Sequence, residues 1–442
     1  MNKGLLSGVT GVLIASLVAH GQAPPANRAA NSWLGVGTRA ASVDLSGNPG
    51  DSISSDGSLS ANGRYVAFLS SASNLVVGDT NNSSDVFVRD VLMGTTQRVS
   101  VDSLGNQADA GSWSGGGISP SGRFVVFGSA AGNLVPADSN GLRDVFLRDL
   151  TLGRTERVSL TWNGGEANDH AYPEALSAGA RHVVFSSYAD NFVPSDTNGL
   201  QDVFVRDRLA GTTERVSTSS FGVEGNGVSQ AATVSSDGRY IAFLSLADNL
   251  APGDTNGRAD VFLHDRATGL TTLVSTNSSG TQGNDSSYDA FLGPDGRHLA
   301  FASYASDLVA GDTNGQSDIF LKDLVTGAVT LESVKPNGDL GDGFSSSPSF
   351  SADLRYIGFL SGAANLVPGD HNFCSDGFVR DRLTGRIWAV SVDQNGFVGN
   401  DVSWAAIVSA NGKRVVFASN SSSLVSGDNN QTQDVFTRSN LP

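Results

Sequence analysis

Seven copies of one short acidic motif are the first candidates for chemistry in this sequence. Each copy reads Asp-x-Asn-x-x-x-Asp: Asp79, Asn81, Asp85; Asp138, Asn140, Asp144; Asp196, Asn198, Asp202; Asp254, Asn256, Asp260; Asp312, Asn314, Asp318; Asp370, Asn372, Asp376; and Asp428, Asn430, Asp434. Two carboxylates, an amide oxygen and the intervening backbone carbonyls are hard oxygen donors of the kind Ca²⁺ takes. The spacing departs from an EF-hand loop, because no bidentate Glu follows at its twelfth position. The alternative is structural: the first Asp and the Asn close Asx turns with Gly, and the second Asp caps the incoming strand. Copy six, with Phe373 and Cys374 after Asn372, loses the Gly and keeps the oxygens. Calcium is therefore an optional stabiliser, and no cofactor is required.

A second candidate is a position that varies where the rest of the repeat does not. At the entry to the first strand of successive repeats stand Ser55, Trp113, Tyr172, Gln230, Tyr288, Ser346 and Trp404. Asp109, Asp169, Asp285 and Asp401 lie three or four residues upstream of the aromatic ones. Aromatic faces beside acidic and polar groups can stack on a sugar or clamp an extended peptide, so Trp113, Tyr172, Tyr288, Trp404, Asp169, Asp285 and Asp401 are the candidate ligand-binding residues. The competing role is gap-filling between repeats.

Catalysis finds little support, and no catalytic residue is assigned. His182 and His298 stand where other copies carry Tyr65, Phe124 and Tyr240; His264 replaces the Arg of a Val-Phe-x-Arg-Asp strand, and His371 a Thr of the acidic loop. His170 has no Ser or Cys nucleophile motif near it. A weak non-repeat cluster of Asp169, His170 and Glu174 remains. Recurring pairs such as Arg89–Asp90 and Arg148–Asp149 point to architecture, since an active site is normally built once.

The elements that position these residues follow from the period. The first Asp of the motif recurs after 59 residues once and after 58 residues five times (79, 138, 196, 254, 312, 370, 428). Each repeat reads as four strands. The second is clearest, GRYVAFLS from Gly63 and GRYIAFLS from Gly238, apolar on both alternating faces as a strand covered on both sides must be. The third is DVFVRD from Asp85; the fourth, TTQRVSV from Thr95, is more polar and suits an outer edge. The first precedes a tight turn, as in ATVSSDGRY from Ala232 to Tyr240, where Gly supplies a positive φ. Four-stranded units in series with no helical period predict an all-β chain, a seven-bladed β-propeller whose innermost strands line a central channel.

The chain ends predict how the ring closes. The last repeat stops at DVFTRSNLP without a fourth strand, while TRAASVDLSGN from Thr38 matches the fourth strand and loop of QRVSVDSLGN from Gln97. The N-terminal strand should complete blade seven. The expected organisation is a signal peptide over 1–21, a linker over 22–37 and the propeller over 38–442. Lys3, the apolar run from Leu5 to Ala19, and small residues at Ala19 and Gly21 carry the signal. The run is short for a membrane span and no second follows, so the expected destination is a periplasm or the medium. Cys374 is the only cysteine, so an intramolecular disulfide is impossible and packing must supply stability. A formal net charge of −16 excludes the basic footprint of a nucleic-acid binder.

SSDGRYIAF from Ser235 and GPDGRHLAF from Gly293 resemble the Ser-Pro-Asp-Gly-Arg-x-x-Ala-Phe signature of the WD40-like propeller repeat of TolB, tricorn and prolyl-oligopeptidase propellers. SAGARHVVF from Ser177 and SADLRYIGF from Ser351 depart from it by losing the turn glycine. The resemblance implies a bare propeller, without the extra domain of TolB-like proteins or the hydrolase domain of the peptidases. Fold does not fix function. The expectation is an exported, monomeric, non-enzymatic binding or scaffold module for a glycan, peptide or protein on one face; the alternative is a hydrolase or lyase with its site at the channel mouth.

Overall fold

The structure, a computed structural model, describes residues 37–113 and 117–439. The expected signal peptide and nearly all of the linker lie outside the described residues. Among the described residues, twenty-eight strands form seven four-stranded sheets. Blade one comprises Ser54–Leu59, Tyr65–Ser70, Asp85–Asp90 and Thr95–Arg98, each antiparallel to the next. The other blades repeat this order, so the chain is a seven-bladed β-propeller. No helix among the described residues is long and apolar enough to cross a membrane.

The second and third strands form the core because both of their faces are covered. Asp85–Asp90 is buried at every position, as is Asp202–Asp207. Within each blade the Phe of the second strand stacks on the Phe of the third, from Phe68–Phe87 at 5.8 Å to Phe417–Phe436 at 5.7 Å. Offset stacking of buried rings adds to the area they remove from water.

The Arg of the Gly-Arg turn closes the far end of the blade on the Asp that ends the third strand. Arg64 grips Asp90 through Nε and Nη2 at 2.7–3.1 Å, and Arg123–Asp149, Arg181–Asp207, Arg239–Asp265, Arg297–Asp323 and Arg355–Asp381 repeat the fork. The neighbouring Arg of the same strand bonds elsewhere: Arg89 donates to Thr96, and Arg148 to Thr155 and the carbonyl of Asp102 in the preceding blade's loop. The turn glycine is needed twice over. Gly238 has a φ of 78°, and a Cβ there would stand 2.0 Å from the His182 ring of the preceding blade. Ala180 and Leu354, in the two departing copies, still hold φ of 51° and 59°. Those turns keep the left-handed geometry at the cost of strain.

The ring closes as expected. Gly37–Ala40 pairs antiparallel with Asp434–Ser439, Gly37 opposite Ser439 and Ala40 opposite Phe436. Ser42 Oγ donates to Asp434 at 2.6 Å, the same bond that Ser100 makes to Asp85 within blade one. The N-terminal segment therefore takes the fourth-strand position of blade seven down to its side-chain contacts.

Candidate functional site

The acidic motifs lie in the loops from second to third strand, at the end of the blade where the first strand begins. Their asparagines close turns: Asn81 Oδ1 accepts from the Ser83 amide, while its Nδ2 donates to Asp85 and to the Ala108 carbonyl. Asn140, Asn198, Asn314, Asn372 and Asn430 repeat this set of bonds, and Asn256 accepts from Arg258 N and donates to Gly283. The amide thus turns its NH₂ toward the second carboxylate, and its oxygen is engaged by backbone.

Between the two carboxylates the blades differ, and this sequence reasoning missed. In blades one to three an arginine from the fourth strand stands there: Arg98 reaches Asp79 and Asp85 at 3.4 and 3.2 Å, Arg157 reaches Asp138 and Asp144 at 3.2 and 3.3 Å, and Arg215 reaches Asp196 and Asp202 at 3.1 and 3.2 Å. In blade four Gln282 bridges Asp254 and Asp260 at 2.7 and 2.8 Å. Blades five, six and seven carry Leu331, Ala389 and Ala40 at the arginine's position. Burial, with the neighbouring carboxylate, pushes Asp312, Asp376 and Asp428 up to about 6, as it does Asp138 and Asp196 beside their arginines. Among the described residues no three His, Cys, Asp or Glu side chains gather into a metal-holding group. The signal was an Arg at the end of the fourth strand in three of the seven copies.

The varying ring stands at the same end, and the structure separates its members. Trp113 lies under the Arg143 guanidinium, 4.3 Å from the ring centre. Tyr288 donates to Ser317 Oγ at 2.5 Å and packs against Tyr304 at 5.7 Å. Trp404 is 38% exposed and borders an open cleft of about 620 Å³ between blades seven and one. Asp169, Asp285 and Asp401 each accept from the backbone amide that follows them, at 2.6–2.8 Å. Asp109 belongs to a different rung, accepting from the Gly132 amide. His170 Nδ1 accepts from the Arg143 amide at 2.9 Å.

Next to five of the ring residues (Ser55, Gln230, Tyr288, Ser346 and Trp404) the inner strand bulges. Asp56, Ala231, Asp289, Ser347 and Ala405 have φ of 51–53°, and the register shifts there. A bulge re-aims side chains, and here it sends carboxylates across to the next blade. Glu174 accepts from Ser186 Oγ and from the Ala231 and Ala232 amides, and Asp289 from the Ser347 amide. Burial raises the pKa of Glu174 and Asp289 alike. Sequence reasoning also missed the half-exposed Tyr188, Leu246 and Tyr304, which follow the second strands of blades three to five, and Phe344 of blade six. For the first three the signal was a large residue directly after the Ser that ends the second strand; Phe344 instead precedes the first strand of its blade. They enlarge the ring into an apolar, hydrogen-bonding mouth.

No family model and no curated protein matches the sequence. Solved structures share the fold. An oligogalacturonate lyase in complex with manganese superposes with a TM-score of 0.54 at 13% identity, over 92% of this chain and 96% of that one. The β-propeller domain of the trilobed protease from Pyrococcus furiosus gives 0.53 at 11%, over 88% and 95%. TolB from Acinetobacter baumannii gives 0.39 at 14%, over 63% of this chain, which spans 53% of TolB.

Proposed function

We propose that this chain is an exported binding propeller that takes a glycan or peptide across its channel mouth without transforming it. One observation carries the reading. The blades are alike in their stacked Phe pairs and turns, six of the seven share the forked ion pair, and they differ at the mouth, where large half-exposed rings and aliphatic groups stand. Repeat positions free of packing constraint are where a ligand surface can be written. The carboxylates that an enzyme would need are engaged instead: Glu174 and Asp289 clasp the next blade's amides, and His170 is tied to Arg143. Neighbours of this fold include a lyase and a protease domain, so the test must watch for products. Oligosaccharide and peptide panels titrated by calorimetry, with each mixture analysed by mass spectrometry afterwards, should show binding with the ligand recovered intact. Shortened products would overturn the non-enzymatic reading.

Calcium is a proposal for blades five to seven only. It is supported by the sister blades, in which a cationic guanidinium occupies the place between the same two carboxylates. Thermal unfolding with and without millimolar calcium tests it, and an unchanged midpoint removes it.

A further inference from the structure

We propose that the cleft between blades seven and one is a subsite for a neutral sugar residue stacked on Trp404, an inference that rests on the mouth-binding reading above. The cleft of about 620 Å³ is lined by Ser55, Asp56, Gly57, Gly117, Trp404 and Gln433, and this falls in the roughly 300–1,000 Å³ range of small-molecule sites. The room comes from small residues. Gly57 sits where a Cβ would lie 2.6 Å from Val416, so the inner strand of blade one runs close against blade seven and leaves its polar edge facing the cleft.

Three features make this seam unlike the other blade junctions. Trp404 keeps its face open, whereas the equivalent Trp113 is covered by Arg143 and Tyr288 by Tyr304. Gln433 makes no side-chain hydrogen bond within the described residues, whereas its counterparts Gln201 and Ser317 donate to Ser186 at 2.9 Å and to the Ser345 carbonyl. Asp56 lines the cleft beside Ser55, and burial raises its pKa. A flat apolar ring beside a hydroxyl, a carboxylate and an amide matches a pyranose, which has one C–H face and a rim of hydroxyls that both donate and accept.

Charge and backbone narrow the class. The chain carries −16 and Asp56 lines the cleft itself, so a polyanionic chain such as a polyuronate meets like charge there. A peptide adding as an extra strand would need an unbroken edge, and the inner strands of blades one and seven are bulged at Asp56 and Ala405.

The experiment is calorimetric titration of the full exported chain with cellohexaose, xylohexaose, mannohexaose, maltohexaose and hexagalacturonate at about 0.15 M salt. At least one neutral hexaose should bind, with hexagalacturonate weaker by about ten-fold or more. Trp404→Ala should weaken the neutral ligand about ten-fold, and Gln433→Ala several-fold. Trp162→Ala, on an exposed loop outside the mouth, should leave the affinity and the unfolding midpoint unchanged. Tighter binding of hexagalacturonate overturns the neutral class. Neutral binding that ignores Trp404→Ala but is lost in Tyr304→Ala overturns the seam and leaves the mouth reading standing. Binding of a peptide panel alone overturns the sugar and keeps the mouth, and no binding in either panel overturns both.

Discussion

Arg157 and Ala389 occupy the same place in blades two and six, each in the fourth strand opposite the stacked Phe of the third, and only Arg157 reaches the carboxylate pair beside it. The arginine lies against both Asp138 and Asp144 and offsets part of the cost of burying them; blade six holds Asp370 and Asp376 buried and without a cation among the described residues. Ala389→Arg should therefore stabilise the fold at pH 7.5 by about 1 kcal/mol, the scale of a partly buried pair after its desolvation cost. Denaturant unfolding measures it. The gain should shrink at pH 5, where the pair already holds a proton, and it should remove whatever calcium dependence blade six contributes. A gain of equal size at both pH values would mean that added packing, not charge, was responsible.

The same carboxylates set the direction of the pH dependence. Burial raises Asp138, Asp196, Asp312, Asp376 and Asp428 to about 6. A group whose folded pKa lies above its unfolded value contributes stability below the unfolded value, and that contribution is lost as pH rises through about 6. The forked partners run the other way. The Arg239 guanidinium holds Asp265 down to about 2, and Asp207 and Asp323 are lowered by Arg181 and Arg297. Their contribution is present above pH 4 and lost as pH falls toward 2. Thermal unfolding across pH 3–8 should show a maximum near pH 5, with a decline on both sides. A midpoint that climbs steadily to pH 8 would contradict the burial of the motif carboxylates.

What was legible in the sequence was what repeats within one blade. The Asp-x-Asn spacing, the Gly-Arg turn and the Val-Phe-x-Arg-Asp strand each sit at a fixed offset, so strand order, blade number and closure by the residues from Thr38 followed from alignment of the chain with itself. Contacts between blades were hidden. Glu174 reaches Ala231, 57 residues on, through a bulge displaced by Pro173, and no local pattern announces it. Arg98 and Asp79 are 19 residues apart and meet only because the fourth strand folds back beside the loop. Trp113 and Trp404 looked equivalent in the repeat; the residue packed above each, Arg143 in one case and solvent in the other, tells them apart.

The acidic loop offers a direct test of backbone strain. Gly141, Gly199, Gly257 and Gly315 hold φ of 64–66°, and in blade six Phe373 takes the same place with φ 57° and 93% of its surface exposed. The left-handed region costs a residue with a Cβ about 1 kcal/mol, and this ring gains nothing from burial. Phe373→Gly should raise unfolding free energy by about 1 kcal/mol, less the added entropy of the unfolded chain. A loss of stability would show instead that the ring covers something, and would mark it as part of a binding surface.

The closure strand makes the largest demand on stability. Removing residues 38–45 strips the fourth strand from blade seven, unpairs the Phe436–Ser439 edge and takes Ser42 away from the buried Asp434. Asp434 then keeps only Asn430, without the Ser42 hydroxyl that lowers its pKa, and losing one of a buried carboxylate's partners costs about 1–3 kcal/mol by itself. The exposed backbone edge also becomes a template for pairing with another chain. The truncated chain should unfold at a midpoint well below that of the full chain, lose at least about 3 kcal/mol in denaturant titration, and sediment partly as oligomers. Restoring the segment as a separate peptide, residues 36–46, should recover part of the lost stability in a concentration-dependent way. An unchanged midpoint after truncation would mean that blade seven stands on three strands, and that the pairing of Gly37 with Ser439 is decoration.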